Sequence, residues 1–180
     1  MEFGRLTFLP VAEHLELVAA PVRDALPALE ARVLVAGIDA EVADTAAFCE
    51  RYDIGMEQGA NCVVIEAKRG DTVRYAACLI LATERIDVNG AVRRLLDAKK
   101  ASFAAMDTAT ALTGMEYGGI TPIGLPAGWP IYVDEAVAAG DRLVIGSGIR
   151  ASKLLVTGDV LASLPNARVV PIAKQTVEQS

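Results

Sequence analysis

The sequence predicts an α/β fold with a mixed sheet, and three observations lead to it. Two apolar, strand-like runs at the centre of the chain flank a short polar turn containing glycine. A segment with apolar residues at helical spacing follows them directly. Towards the C-terminus, short strands and short helices then alternate irregularly. A dinucleotide-binding unit does not fit, because no glycine-rich turn joins an early strand to a helix.

In chain order, the stretch up to about Ala31 is rich in Ala, Leu, Val and Pro. His14, Leu15, Leu17 and Val18 suggest a helix there, which Pro21 and Pro27 would keep from continuing. Arg32–Ala36 (RVLVA) reads as a short strand, and Asp44 as the N-cap of a helix reaching about Tyr52. The central runs are Asn61–Glu66 (NCVVIE) and Val73–Leu81 (VRYAACLIL), with a turn containing Lys68, Arg69, Gly70 and Asp71. Both runs are apolar at most positions, so the sheet should be covered on both faces. Asp87 would cap a helix over Val88–Leu96, and a helix over about Asp107–Thr113 should end at Gly114 in a left-handed cap. Short strands follow at Ile131–Val133, Leu143–Ile145 and Lys153–Val156, then a helix at Gly158–Leu164 and a last strand at Val169–Ile172.

Composition narrows the functional classes. Hydrophobic residues make up 53% and charged residues 22% of the 180-residue chain, enough for a proper core in one domain spanning 1–180. No apolar run, Ala76–Ala82 included, is long enough to span a bilayer, and the N-terminus lacks a secretory pattern, so no membrane partner and a cytoplasmic location are expected. Cys49, Cys62 and Cys78 are widely spaced and His14 is the one histidine, so neither a metal nor another cofactor is expected. The net charge of −6 and pI of about 4.8 argue against a strong autonomous nucleic-acid binder, DNA in particular, while leaving room for a patch that touches one end of an RNA. Arg93, Arg94, Lys99 and Lys100 are the densest basic group and read as a solvated helix end.

The segment most open to chemistry is Tyr117–Gly128, with four glycines and two prolines in twelve residues. Within it, Gly118–Pro122 (GGITP) can aim several backbone N–H groups at one oxygen with no Cβ in the way. Gly146-Ser147-Gly148 allows a similar close approach, or simply a tight connection between strands. The ordered set ANCVVI (60–65), CLILATERIDV (78–88), ALTGMEYGGITPIGLP (111–126), IYVDEAV (131–137) and VIGSG (144–148) resembles the YbaK/EbsC family, over about 54–164. Residues 1–53 match that family less clearly.

The resemblance implies a single domain built on a mixed, largely antiparallel curved sheet flanked by helices. It also implies a hydrolase of mischarged tRNA, cleaving a small amino acid from the acceptor end of a proline tRNA. Gly118 and Pro122 fall on the family's oxyanion loop, Gly119 and Thr121 within it, and Asp134 on its VD motif, where capping a short helix is an equal reading. Gly146, Ser147 and Gly148 fall on a later loop beside the substrate, although in the run Gly146–Arg150 the hydroxyl and basic side chain that the family's motif carries are shifted or lost. The family usually carries a lysine at the start of the central strand, and Asn61 stands there instead; Lys68, seven residues on, is a poor substitute. Asparagine donates hydrogen bonds but brings no charge. Two functions therefore remain: a deacylase using Asn61, Gly118 and Pro122, favoured by the intact loop, and a binding module for an aminoacyl or nucleotide group, favoured by the missing lysine. On the deacylase reading, Asn61→Lys should raise activity. The sequence leaves a homodimer open.

Overall fold

A computed structural model describes residues 1–29 and 32–175. The chain opens with a hairpin of β1 (Glu2–Phe3) and β2 (Leu6–Thr7), followed by β3 (Leu9–Pro10). The helix expected around His14–Val18 is instead two 3₁₀ turns, Val11–Glu13 and Leu15–Leu17. Pro21 does not stop a helix but lies in the first turn of α1 (Ala20–Ala25), where its missing N–H has no intrahelical partner to lose. β4 (Leu34–Gly37) follows, then α2 (Thr45–Tyr52). The Asp44 carboxylate accepts the N–H groups of Ala46 (3.2 Å) and Ala47 (3.4 Å), a cap worth about 1 kcal/mol.

The central hairpin is longer than its apolar runs suggest: β5 (Ala60–Arg69) and β6 (Thr72–Leu81) pair over their whole length. Arg69 faces Thr72, so the turn is only Gly70-Asp71, and Lys68 and Arg69 belong to the strand. Gly70 takes the left-handed φ of +59° that the first position of such a two-residue turn requires. The segment capped by Asp87 winds as a π-helical turn at Val88–Val92 before α3 (Arg93–Leu95). β7 (Lys100–Phe103) pairs with β5, so Lys100 lies on an edge strand rather than at a helix end. α4 (Met106–Thr113) ends at Gly114 with φ +67°. β8 (Ile131–Val133), α5 (Glu135–Ala138), β9 (Leu143–Gly146), β10 (Ser152–Val156), α6 (Gly158–Ala162) and β11 (Ala167–Val169) complete the order.

The larger strands form two sheets. One runs β3-β4-β10-β9 with every neighbour antiparallel; the other runs β11-β8-β6-β5-β7, with β6–β8 and β8–β11 parallel. The fold is thus α/β and mixed but largely antiparallel, as expected. A single parallel bridge, Gly59 to Val144, joins the head of β5 to β9. The central strands are covered on both faces. Ala77 and Leu79 of β6 pack into a core with Val22, Leu26, Ile145 and Leu154, while Ala76, Cys78 and Ile80 pack against Val92, Leu96 and Ile172. A third cluster buries Phe3 and Phe8 against Phe48 of α2, which ties the N-terminal hairpin to the body. Full burial of one such side chain contributes roughly 1.5–3 kcal/mol.

Candidate functional site

Beyond the Gly59–Val144 bridge no ladder joins β5 to β9, and there a cavity of about 400 Å³ opens. Asn61–Val64 of β5 form one wall, Val144–Gly146 of β9 a second, the α2 cap a third, and Gly118 and Ile120 close it from the glycine-rich loop. Phe103 and Tyr117, 60% and 54% exposed, also line it.

Asn61 is held by a neighbour. The Thr45 hydroxyl donates to Asn61 Oδ1 at 2.7 Å, which ties up the amide oxygen. Among the described residues the Asn61 Nδ2 has no protein acceptor, so its two N–H donors are left for a ligand. The loop adds backbone donors: neither the Gly118 nor the Ile120 N–H has a protein acceptor among the described residues.

Glycine is required where the loop meets the sheet. A Cβ on Gly146 would lie 2.6 Å from the Ile120 carbonyl oxygen and closer still to that of Gly119, and one on Gly119 would lie 2.6 Å from the Ile149 oxygen. The Gly148 N–H donates to Gly119 O at 2.7 Å, and the Gly148 carbonyl accepts from Glu116 N at 2.9 Å. Arg150 clamps the same loop: its guanidinium donates to Tyr117 O at 3.2 Å and to Ala40 O at 3.0 Å.

The residues singled out by sequence therefore separate into two groups. Asn61, Gly118 and Gly146 line the cavity. Gly119, Thr121, Pro122, Ser147 and Gly148 lie outside its lining and form the scaffold behind it. The Ser147 hydroxyl is spent on Ile149 and Ser152, whose own hydroxyl donates to it at 2.6 Å. Thr121 is fully buried and its hydroxyl has no partner among the described residues. Asp134 also lies away from the cavity: its carboxylate caps α5 at Ala136 N (3.1 Å) and accepts from Ile172 N (2.9 Å) and Ala173 N (3.1 Å), pinning the C-terminal segment. Lys68 pairs with Glu66 at 2.9 Å, also outside the lining. Trp129 stacks on Tyr75 with ring centroids 5.6 Å apart.

Sequence reasoning missed Lys153. It sits on β10, 8% exposed, and lines the cavity. Its Nζ donates to Ala43 O at 3.0 Å and lies 5.5 Å from the centroid of the Phe48 ring. Burial pulls its pKa below the ordinary lysine value. The available signal was a lone cation next to the apolar run Leu154–Val156 of a strand, SKLLV, every residue of which is buried. Cys62 also lines the cavity, but burial pushes its thiol up to about 12, which leaves it without thiolate character. Among the described residues no group of three or more His, Cys, Asp or Glu side chains comes together to hold a metal ion, and no helix is long and apolar enough to cross a membrane.

Comparison with known proteins bears on the same region. The model of the aminoacyl-tRNA editing domain matches residues 39–164, starting upstream of the resemblance over about 54–164 and taking in the α2 cap. No curated protein matches the sequence. Among solved structures, the chain is similar to a candidate trans-editing enzyme for prolyl tRNA synthetase, at 21% identity and a TM-score of 0.72, over 88% of this chain and 99% of that one. It is also similar to a scaffold protein from a study of computational epitope grafting, at 22% identity and a TM-score of 0.74, over 87% of this chain and 97% of that one. At these identities the likeness shows the fold.

Proposed function

The chain belongs to the aminoacyl-tRNA editing domain family, and on that premise we propose that it hydrolyses the ester of a mischarged aminoacyl-tRNA, a small amino acid on proline tRNA being the first candidate. One observation carries this reading: the unpartnered N–H donors of Gly118 and Ile120 and the Asn61 amide border one cavity. Such a set can hold an ester carbonyl and strengthen its grip as that oxygen gains charge.

In the reaction, water attacks the carbonyl carbon and the bond to the ribose oxygen breaks. The proton from water ends on that ribose oxygen, releasing a free amino acid and an uncharged tRNA end. Cys62, a thiol held neutral, offers no nucleophile, so direct attack by water is the simpler route. The cavity's volume of about 400 Å³ suits an aminoacyl group and part of the terminal nucleoside. The exposed rings of Phe103 and Tyr117 offer faces on which unpaired acceptor-end bases can stack, worth about 1–3 kcal/mol per base.

The test is a deacylation panel: tRNAs charged with alanine, cysteine, serine and other small residues, incubated with the protein and followed by release of the amino acid. Faster release than in buffer for at least one member supports the reading. Tight binding of an aminoacyl-tRNA with no release would instead favour the binding module that the neutral Asn61 suggests.

A further inference from the structure

The second strand facing the cavity carries a cation with no ion-pair partner among the described residues. Lys153 is 8% exposed, yet no carboxylate forms an ion pair with it among the described residues. Asp44 lines the same cavity and acts on the amine electrostatically, but it forms no ion pair with it, and its Oδ1 accepts the Ala46 and Ala47 N–H groups. The protein gives the amine one carbonyl, Ala43 O at 3.0 Å, and the face of the Phe48 ring. A lysine amine has three donors when charged, and a buried one that lacks an acid is costly unless a ligand completes its shell. The remaining donors border a space that also holds the Asn61 amide and the Gly118 loop.

We propose that Lys153 is a catalytic residue that binds the carbonyl oxygen of the aminoacyl ester, supplying from β10 the cation absent from the head of β5. This rests on the deacylase reading and goes beyond it by naming the group that meets the developing negative charge. Asn61 and the backbone N–H groups orient the ester as neutral donors; Lys153 adds the charge-assisted bond, the stronger kind. The arrangement also explains why an uncharged side chain is tolerated at position 61: a lysine there would share the cavity with a second ammonium.

The experiment compares wild type, Lys153→Met and Lys153→Arg on whichever aminoacyl-tRNA the panel selects. Binding of 3′-aminoacylamino-3′-deoxyadenosines, which keep the carbonyl but resist hydrolysis, is measured for the same amino acids. Methionine fills the buried volume without charge, and its folding is checked by thermal melting. Lys153→Met is expected to lower kcat about 100-fold, as for loss of one oxyanion donor, and to raise KM as well, because the amine also holds the ground-state carbonyl. Arginine should restore part of kcat, and the amide should bind Lys153→Met at least tenfold more weakly than wild type. An active wild type whose kcat survives in Lys153→Met overturns the assignment and leaves the deacylase reading standing. If wild type releases no amino acid from any tRNA, the deacylase reading falls, and the amide decides the assignment alone. Binding that weakens in Lys153→Met supports the contact; binding that is equal in both proteins, or absent from wild type, overturns it.

Discussion

Asn61 shows how one side chain depends on its neighbours. The Thr45 hydroxyl fixes its amide oxygen at 2.7 Å, so what the cavity receives is an oriented NH₂ group. Asn61→Ala removes that donor and the bond to Thr45; at about 0.5–1.5 kcal/mol for a neutral hydrogen bond, single-turnover deacylation should fall roughly three- to tenfold. Read from sequence alone, Asn61→Lys should gain activity by adding a charge. With Lys153 lining the same cavity the expectation changes: a second ammonium meets a like charge and gives up the Thr45 bond, so deacylation should not rise. A rise of tenfold or more in Asn61→Lys would show that the cavity lacks a cation, contrary to the role given to Lys153.

At the scale of elements, the site depends on the glycine-rich loop resting directly on the end of β9. Gly146→Ala would push a methyl to within 2.6 Å of the Ile120 oxygen, a backbone atom with no rotamer to yield. The loop must shift, carrying the Gly118 and Ile120 donors with it. Deacylation should drop at least tenfold and stability by about 1–3 kcal/mol, read from single-turnover rates and denaturant melts. Gly37→Ala, where the nearest atom is 4.0 Å away, is the control and should change neither much. Elements with strong patterning were legible in the sequence. The β5–β6 hairpin, the Asp44 and Asp87 caps and the Gly114 stop are readable from apolar runs and capping chemistry. β7 was not, because Lys100-Ala-Ser-Phe has one buried residue and finds its place only through pairing with β5. The N-terminal strands are two residues each, too short to carry a period. The glycine loop could be recognised as a loop, but which of its N–H groups stay free depends on how it folds back, with Gly119 N donating to Glu116 O and Thr121 N to Met115 Sδ.

At the scale of the whole molecule, the cavity exists because two sheets meet at one bridge and then part, and the cation inside it should cost stability. Lys153→Met removes a buried amine that lacks an acid partner, so the variant should melt higher, by about 2–4 °C for each kcal/mol recovered, while losing activity. The pH dependence has a definite sign. Burial lowers the native pKa of Lys153 below 10.5, so between the two values the unfolded chain binds the extra proton and stability rises with pH. Cys49, Arg150 and Asp44 bear on the amine electrostatically, and the raised thiols of Cys62 and Cys78 push stability the other way at high pH. The difference in Tm between wild type and Lys153→Met is therefore the quantity to follow: largest at neutral pH and shrinking towards pH 10. A gap that stays constant from pH 7 to 10 would mean that the amine carries no burial penalty.

The central claim is that this cavity deacylates mischarged tRNA, and the most direct measurement is the rate of amino-acid release from alanyl-tRNA specific for proline. Wild type, Asn61→Ala, Lys153→Met and a Trp129→Phe variant are compared, the last altering the stack on Tyr75 outside the cavity lining. Release should be faster than in buffer with wild type and Trp129→Phe, several-fold slower with Asn61→Ala, and close to the buffer rate with Lys153→Met. Release that wild type accelerates but that both cavity substitutions leave untouched would contradict the account.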